Sequence, residues 1–189
     1  MPTFNPGIMS WQELEVYKHN QMKFYHDTYG LETFVETGTN DGRSVEFARH
    51  IFKEVYSIEL HAERYEYCKN KFLGVNNVHL YQGDSEILLP QIVKNLPNER
   101  ILFWLDAHLG SDDPGPLSSA KHKFSGHYEL EYLLNRKLTH SVILVDDIIN
   151  TDLYSDHKCE ENVCPCVNGI LRLSPQAKVE MSIARVVLD

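Results

Sequence analysis

Six apolar runs of strand length, separated by stretches of helical periodicity, constrain this chain more than any other feature. The runs are TFVET (33–37), VYSIE (55–59), VHLY (78–81), ILFWL (101–105), VILVD (142–146) and SIARVVL (182–188). Between them Val45, Ala48 and Phe52 fall on one helical face, as do Ala62, Tyr65, Cys68 and Phe72. Leu88, Ile92 and Leu96 form a third set, and Leu130, Leu133, Leu134 and Leu138 a fourth. Trp11, Leu14, Tyr17 and Tyr25 predict one more helix ahead of the first strand. This alternation predicts βαβ units, hence an α/β fold with a mostly parallel sheet and helices on both faces. Short runs rich in Val, Ile and Leu suit strands buried on both sides. The 189 residues, 42% of them hydrophobic, predict a single domain over 1–189 with an ordinary core.

In such sheets ligands bind beyond the carboxyl ends of the strands, where strand order reverses. The chemistry-bearing residues do follow the apolar runs. After the first comes Glu36-Thr37-Gly38-Thr39-Asn40-Asp41-Gly42. Glycines there allow a sharp turn and a close approach to the main chain. Gly38 and Gly42 are four apart, short of the full G-x-G-x-x-G dinucleotide pattern. The second run ends in Glu59, 17 residues past Gly42, where an acid is placed to accept from both ribose hydroxyls of a nucleoside. An ordinary βα loop and a residue flanking a helix start remain the plainer alternatives. After the third run comes Gly83-Asp84-Ser85; Asp84 can accept from an adenine amino group, cap the next helix, or both.

The fourth run leads into Asp106-Ala107-His108 and the fifth ends at Asp146-Asp147. Carboxylates gathered at one sheet rim repel each other unless positive charge offsets them, and no Lys or Arg adjoins them in sequence. Three hard oxygen ligands suit Mg²⁺ or a similar ion. The alternative is that Asp146 ends the strand while Asp147 is solvated. His108 is positioned as a general base for a substrate hydroxyl.

Eighteen Lys and Arg against 27 Asp and Glu give a net charge of −9, which disfavours nucleic acid and anionic membrane as partners. No run approaches the ~20 apolar residues of a membrane helix. The first residues lack the order of a secretory signal, so a cytoplasmic location and a small-molecule partner are expected. Oligomeric state is left open, a homodimer being one option.

ETGTNDGRS, VYSIEL, QGDS, FWLDAH and ILVDDI, in this order, resemble class I S-adenosylmethionine (SAM)-dependent methyltransferases, most closely the small macrocin-type sugar O-methyltransferases. The resemblance covers about residues 32–150. It implies a Rossmann-like seven-stranded sheet with an antiparallel last strand. It implies O-methylation of a hydroxylated small molecule, such as a sugar or glycoside, and SAM contacts at Glu36, Gly38, Gly42, Glu59, Asp84 and Ser85. It also implies Mg²⁺ at Asp106, Asp146 and Asp147, with Asp106 and His108 catalytic. Metal-dependent relatives often carry an Asp where this chain has His108. A nicotinamide-dependent oxidoreductase is disfavoured by the missing glycine and by the lack of a Tyr-x-x-x-Lys pair. A non-catalytic nucleoside-binding module would not need Asp106, His108, Asp146 and Asp147 together.

Two segments read less clearly. Residues 107–127, rich in Gly, Pro and Ser, predict a mobile lid on the acceptor side. His157, Cys159, Cys164 and Cys166 crowd together, but C-x₄-C-x-C does not match zinc knuckles, and free thiols or a local disulfide fit better.

Overall fold

Neighbouring residues of a strand face opposite sides of a sheet, and here both sides are apolar. The computed structural model describes residues 11–107, 125–146, 174, 176–180 and 183–188. In chain order the elements are α1 (Trp11–Tyr29), β1 (Thr33–Thr37), α2 (Arg43–Ala48), β2 (Glu54–Glu59), α3 (Ala62–Lys71) and β3 (Val78–Gln82). They continue with α4 (Ser85–Val93), β4 (Ile101–Leu105), α5 (Gly126–Leu134), β5 (Ser141–Val145), β6 (Lys178–Glu180) and β7 (Ile183–Leu188). The sheet order is β3-β2-β1-β4-β5-β7-β6, with β7 antiparallel to both β5 and β6 and the rest parallel. Six strands hold five or six residues; β6 is a three-residue edge strand.

Phe34, Val55, Leu102, Trp104, Val142 and Leu144 point to one face, where Met22 and Tyr25 of α1, Val45 and Ala48 of α2 and Cys68 of α3 cover them. Val35, Ile58, Phe103, Leu105, Ile143 and Val145 point to the other, against Leu89, Ile92 and Val93 of α4 and Leu130 and Leu133 of α5. Covering both faces is why β1, β4 and β5 are buried at every position. The predicted α/β architecture and its antiparallel last strand are therefore present.

The differences are local. Helices α2, α4 and α5 stop short of Phe52, Leu96 and Leu138, which nonetheless pack on the core from the loops that follow. Leu89, not Leu88, is the fully buried leucine of α4. Strand β6 has no counterpart among the six apolar runs. Of the stretch expected as a lid, Ser125, Gly126 and His127 instead open α5, with Ser125 and His127 buried. Residues 108–124 and the cysteine-rich segment 157–166 lie outside the described residues. No described helix is long and apolar enough to cross a membrane.

Candidate functional site

The strand order reverses between β1 and β4, which places a crevice at their carboxyl ends. Backbone hydrogen bonds carry the parallel ladder past the strands and hold the rim together. The Gly38 N–H donates to the Ile58 carbonyl at 2.9 Å and that of Gly83 to the Glu59 carbonyl at 2.9 Å. The Asp106 N–H donates to the Thr37 carbonyl at 3.0 Å and that of Asp146 to the Leu105 carbonyl at 2.9 Å. Gly38, Glu59, Gly83, Asp106 and Asp146 thus form one row along the sheet edge.

Both glycines of the first loop have left-handed backbone, φ 87° at Gly38 and 73° at Gly42. A side chain on Gly38 would sit 2.6 Å from the Asp106 carbonyl oxygen, and one on Gly42 would sit 2.9 Å from the Phe72 ring. The sequence suggested room for a ligand at these glycines. The structure gives them a packing reason: the loop lies directly on the end of β4 and on α3.

Glu59 is 4% exposed, and its carboxylate joins two elements. One oxygen accepts from the Asn40 N–H at 2.8 Å, in the loop after β1, and the other from the His61 N–H at 2.9 Å, at the start of α3. Each carboxylate oxygen has roughly two acceptor sites, so capacity for ligand hydroxyls remains. Asp84 caps α4 by accepting from the Glu86 N–H at 2.9 Å.

Behind this edge lie two buried acids, of which the sequence singled out only Glu36. The Ser44 hydroxyl donates to one Glu36 oxygen and the Ser57 hydroxyl to the other at 2.7 Å, with Thr39 a further 2.6 Å from Ser57. Burial pushes Glu36 up to about 7, against the pull of the Ser44 and Ser57 hydrogen bonds and the Lys18 charge. Glu129 of α5 accepts from the Thr37 hydroxyl at 2.9 Å. Burial raises it to about 7 as well, against hydrogen bonds from Ser85 and Thr37. Glu36 and Ser85 are therefore engaged within the protein, behind the rim.

These acids set a pH dependence. A carboxyl raised from 4.5 in the unfolded chain to about 7 in the fold binds its proton more tightly when folded. Its stabilisation is fully present below about 4.5 and is lost as pH rises through about 7. Glu129→Gln, which mimics the protonated form, is expected to raise stability at pH 8 by on the order of 2 kcal/mol and to leave it little changed at pH 4.5. Urea unfolding at the two pH values checks this; equal effects at both would rule out titration of Glu129 as the cause.

The rim carboxylates at the ends of β4 and β5 converge, as the sequence suggested, and a cation lies between them. Lys18 of α1 places its Nζ 2.6 Å from Asp146 Oδ2 and 3.3 Å from Asp106 Oδ2, about a quarter exposed. The Asp146 side chain is fully buried and that of Asp106 is 21% exposed. The same Nζ lies 6.0 Å from the Trp104 ring centroid. No Lys or Arg adjoins these acids in sequence; the offsetting charge comes from a residue 88 positions before Asp106. Sequence did carry a faint signal, since Lys18 shares a helical face with Met22 and Tyr25, both buried. Asp147 and His108 lie outside the described residues. Among the described residues no three potential ligands converge on a metal position. As arranged here, Asp106 and Asp146 do not fit a divalent ion, because an ammonium stands between their oxygens.

No protein-family model and no curated protein matches this chain. Solved structures match its fold. An O-methyltransferase from Bacillus cereus in complex with SAH aligns over 90% of this chain and 80% of its own, at 16% identity and a TM-score of 0.62. The O-methyltransferase TomG of Streptomyces achromogenes, involved in tomaymycin synthesis and in complex with SAM, aligns over 96% and 82%, at 14% identity and a TM-score of 0.60. At these identities the likeness is one of fold.

Proposed function

We propose that this chain is a SAM-dependent O-methyltransferase whose acceptor is a hydroxylated small molecule, such as a sugar or glycoside. The observation that carries the reading is Glu59, a buried acid at the tip of β2 that also holds the amide of Asn40 in the loop after β1. That arrangement suits a nucleoside whose ribose hydroxyls donate to the carboxylate while its amino-acid portion follows the loop. Gly38, Gly42 and Asp84 complete the cofactor edge; Glu36 and Ser85 support it from behind. Similarity in fold to O-methyltransferases adds to the case.

Two carboxylates, Asp106 and Asp146, and the ammonium of Lys18 line the rim beside the proposed cofactor edge. In the reaction, the acceptor oxygen forms a bond to the methyl carbon. The carbon–sulfur bond breaks, and its electron pair stays on sulfur, giving the neutral thioether SAH. The hydroxyl proton passes to a base, for which we propose His108, two residues beyond Asp106. The protein's main contribution is alignment of oxygen, carbon and sulfur.

Calorimetric titration tests the cofactor. SAH is expected to bind one to one, with no measurable NAD binding at concentrations where SAH saturates. The four-residue spacing of Gly38 and Gly42, without the intervening glycine of the dinucleotide pattern, motivates the second part. Tight NAD binding without SAH binding would favour an oxidoreductase.

A further inference from the structure

We propose that Lys18 is the resident cation of the Asp106–Asp146 rim, so that this site excludes a divalent metal rather than requiring one. The inference rests on the methyltransferase reading only for its consequence, a metal-independent acceptor side; the cation itself is read from geometry.

The Nζ lies 2.6 and 3.3 Å from one oxygen of each carboxylate, so it occupies the volume between the two strand ends. A magnesium ion bound to the same oxygens would need to sit about 2.0–2.1 Å from each. Ammonium and metal cannot share that space, and the repulsion between them adds to the steric conflict. The lysine is also placed by the fold. Its helix is anchored through Met22, fully buried, and Tyr25, 5% exposed, on the face that carries Lys18. Trp104 of β4 lies near the same ammonium, and burial of Asp146 makes its charge costly without a cation alongside. The Lys18 charge reaches Glu36 too, where it favours the ionised form. One lysine therefore bears on three acids at the ends of β1, β4 and β5.

On the acceptor side this changes what the rim offers. The acceptor oxygen meets an ammonium, a donor of hydrogen bonds, in place of a Lewis acid. Lys18 acts by charge and position.

Manganese ion alone, followed by electron paramagnetic resonance in the presence and absence of SAH, tests the proposal without any acceptor. Wild type is expected to show no stoichiometric Mn²⁺ site. Lys18→Ser, which removes the ammonium and vacates its volume, is expected to bind one Mn²⁺ at least about tenfold more tightly than wild type. Lys18→Arg keeps the charge and is expected to exclude the ion as wild type does. SAH calorimetry on each variant reports that the fold is intact. If Lys18→Ser does not fold, Lys18→Gln, closer in length, serves in the same titration. Stoichiometric Mn²⁺ binding by wild type, or equal affinity in wild type and the neutral variants, overturns the proposal. A wild type that binds neither SAH nor Mn²⁺ refutes the methyltransferase reading instead and leaves the resident cation standing.

Discussion

Glu59→Ala is expected to weaken SAH binding by about 2–4 kcal/mol, roughly 30- to 1000-fold, because charge-assisted bonds to the two ribose hydroxyls are lost. A second effect follows from the structure. The carboxylate also accepts the amides of Asn40 and His61, so its removal leaves two donors without their acceptor and loosens the loop after β1. Stability of the ligand-free protein should fall by on the order of 2 kcal/mol. Calorimetry and urea unfolding on the same variant separate the two effects. Unchanged SAH affinity would remove Glu59 from the cofactor site, whatever happened to stability. Glutamine is a poor conservative control, since its amide would set a donor against one of the two backbone N–H groups.

Gly38→Ala is expected to destabilise the fold by about 2–4 kcal/mol and to abolish cofactor binding. Its added carbon would meet the Asp106 carbonyl oxygen at 2.6 Å, and that obstacle is backbone, which cannot swing aside as a side chain does. Relief requires β1 and β4 to part at their carboxyl ends, breaking the bond from the Asp106 N–H to the Thr37 carbonyl. Gly30 supplies the control. It too has left-handed backbone, φ 62°, but nothing lies within 4 Å of a side chain there. Gly30→Ala therefore carries only conformational strain, about 1–2 kcal/mol. Urea unfolding of the pair separates clash from conformation, and equal losses would show that the contact with Asp106 is immaterial.

The central strands were legible because both faces of the sheet are covered, so each reads as an unbroken apolar run. Strand β6 was not, since three residues with one neighbour leave no periodic signature. Helix ends were overextended at Phe52, Leu96 and Leu138, because residues just past a helix can still pack on the core that the helix covers. At the site, Gly38, Glu59, Asp84, Asp106 and Asp146 were visible as residues following strands. Lys18 and Glu129 were not. Each reaches its partner across about half the chain, Lys18 to Asp106 and Glu129 to Thr37, and local spacing cannot report such contacts. A lysine on the apolar face of a helix was the one hint available.

Strand β7 lies between β5 and β6, although it is the last of the seven in the chain. During synthesis the outer edge of β5 therefore stays unpaired until residues 183–188 have emerged. The roughly forty residues separating them take about 2–8 s at ribosomal rates of 5–20 residues per second. For that interval a nascent chain displays an apolar strand, Ser141–Val145, with a free row of backbone donors and acceptors. A chain halted before β7 would keep that edge permanently, and self-association is its expected fate.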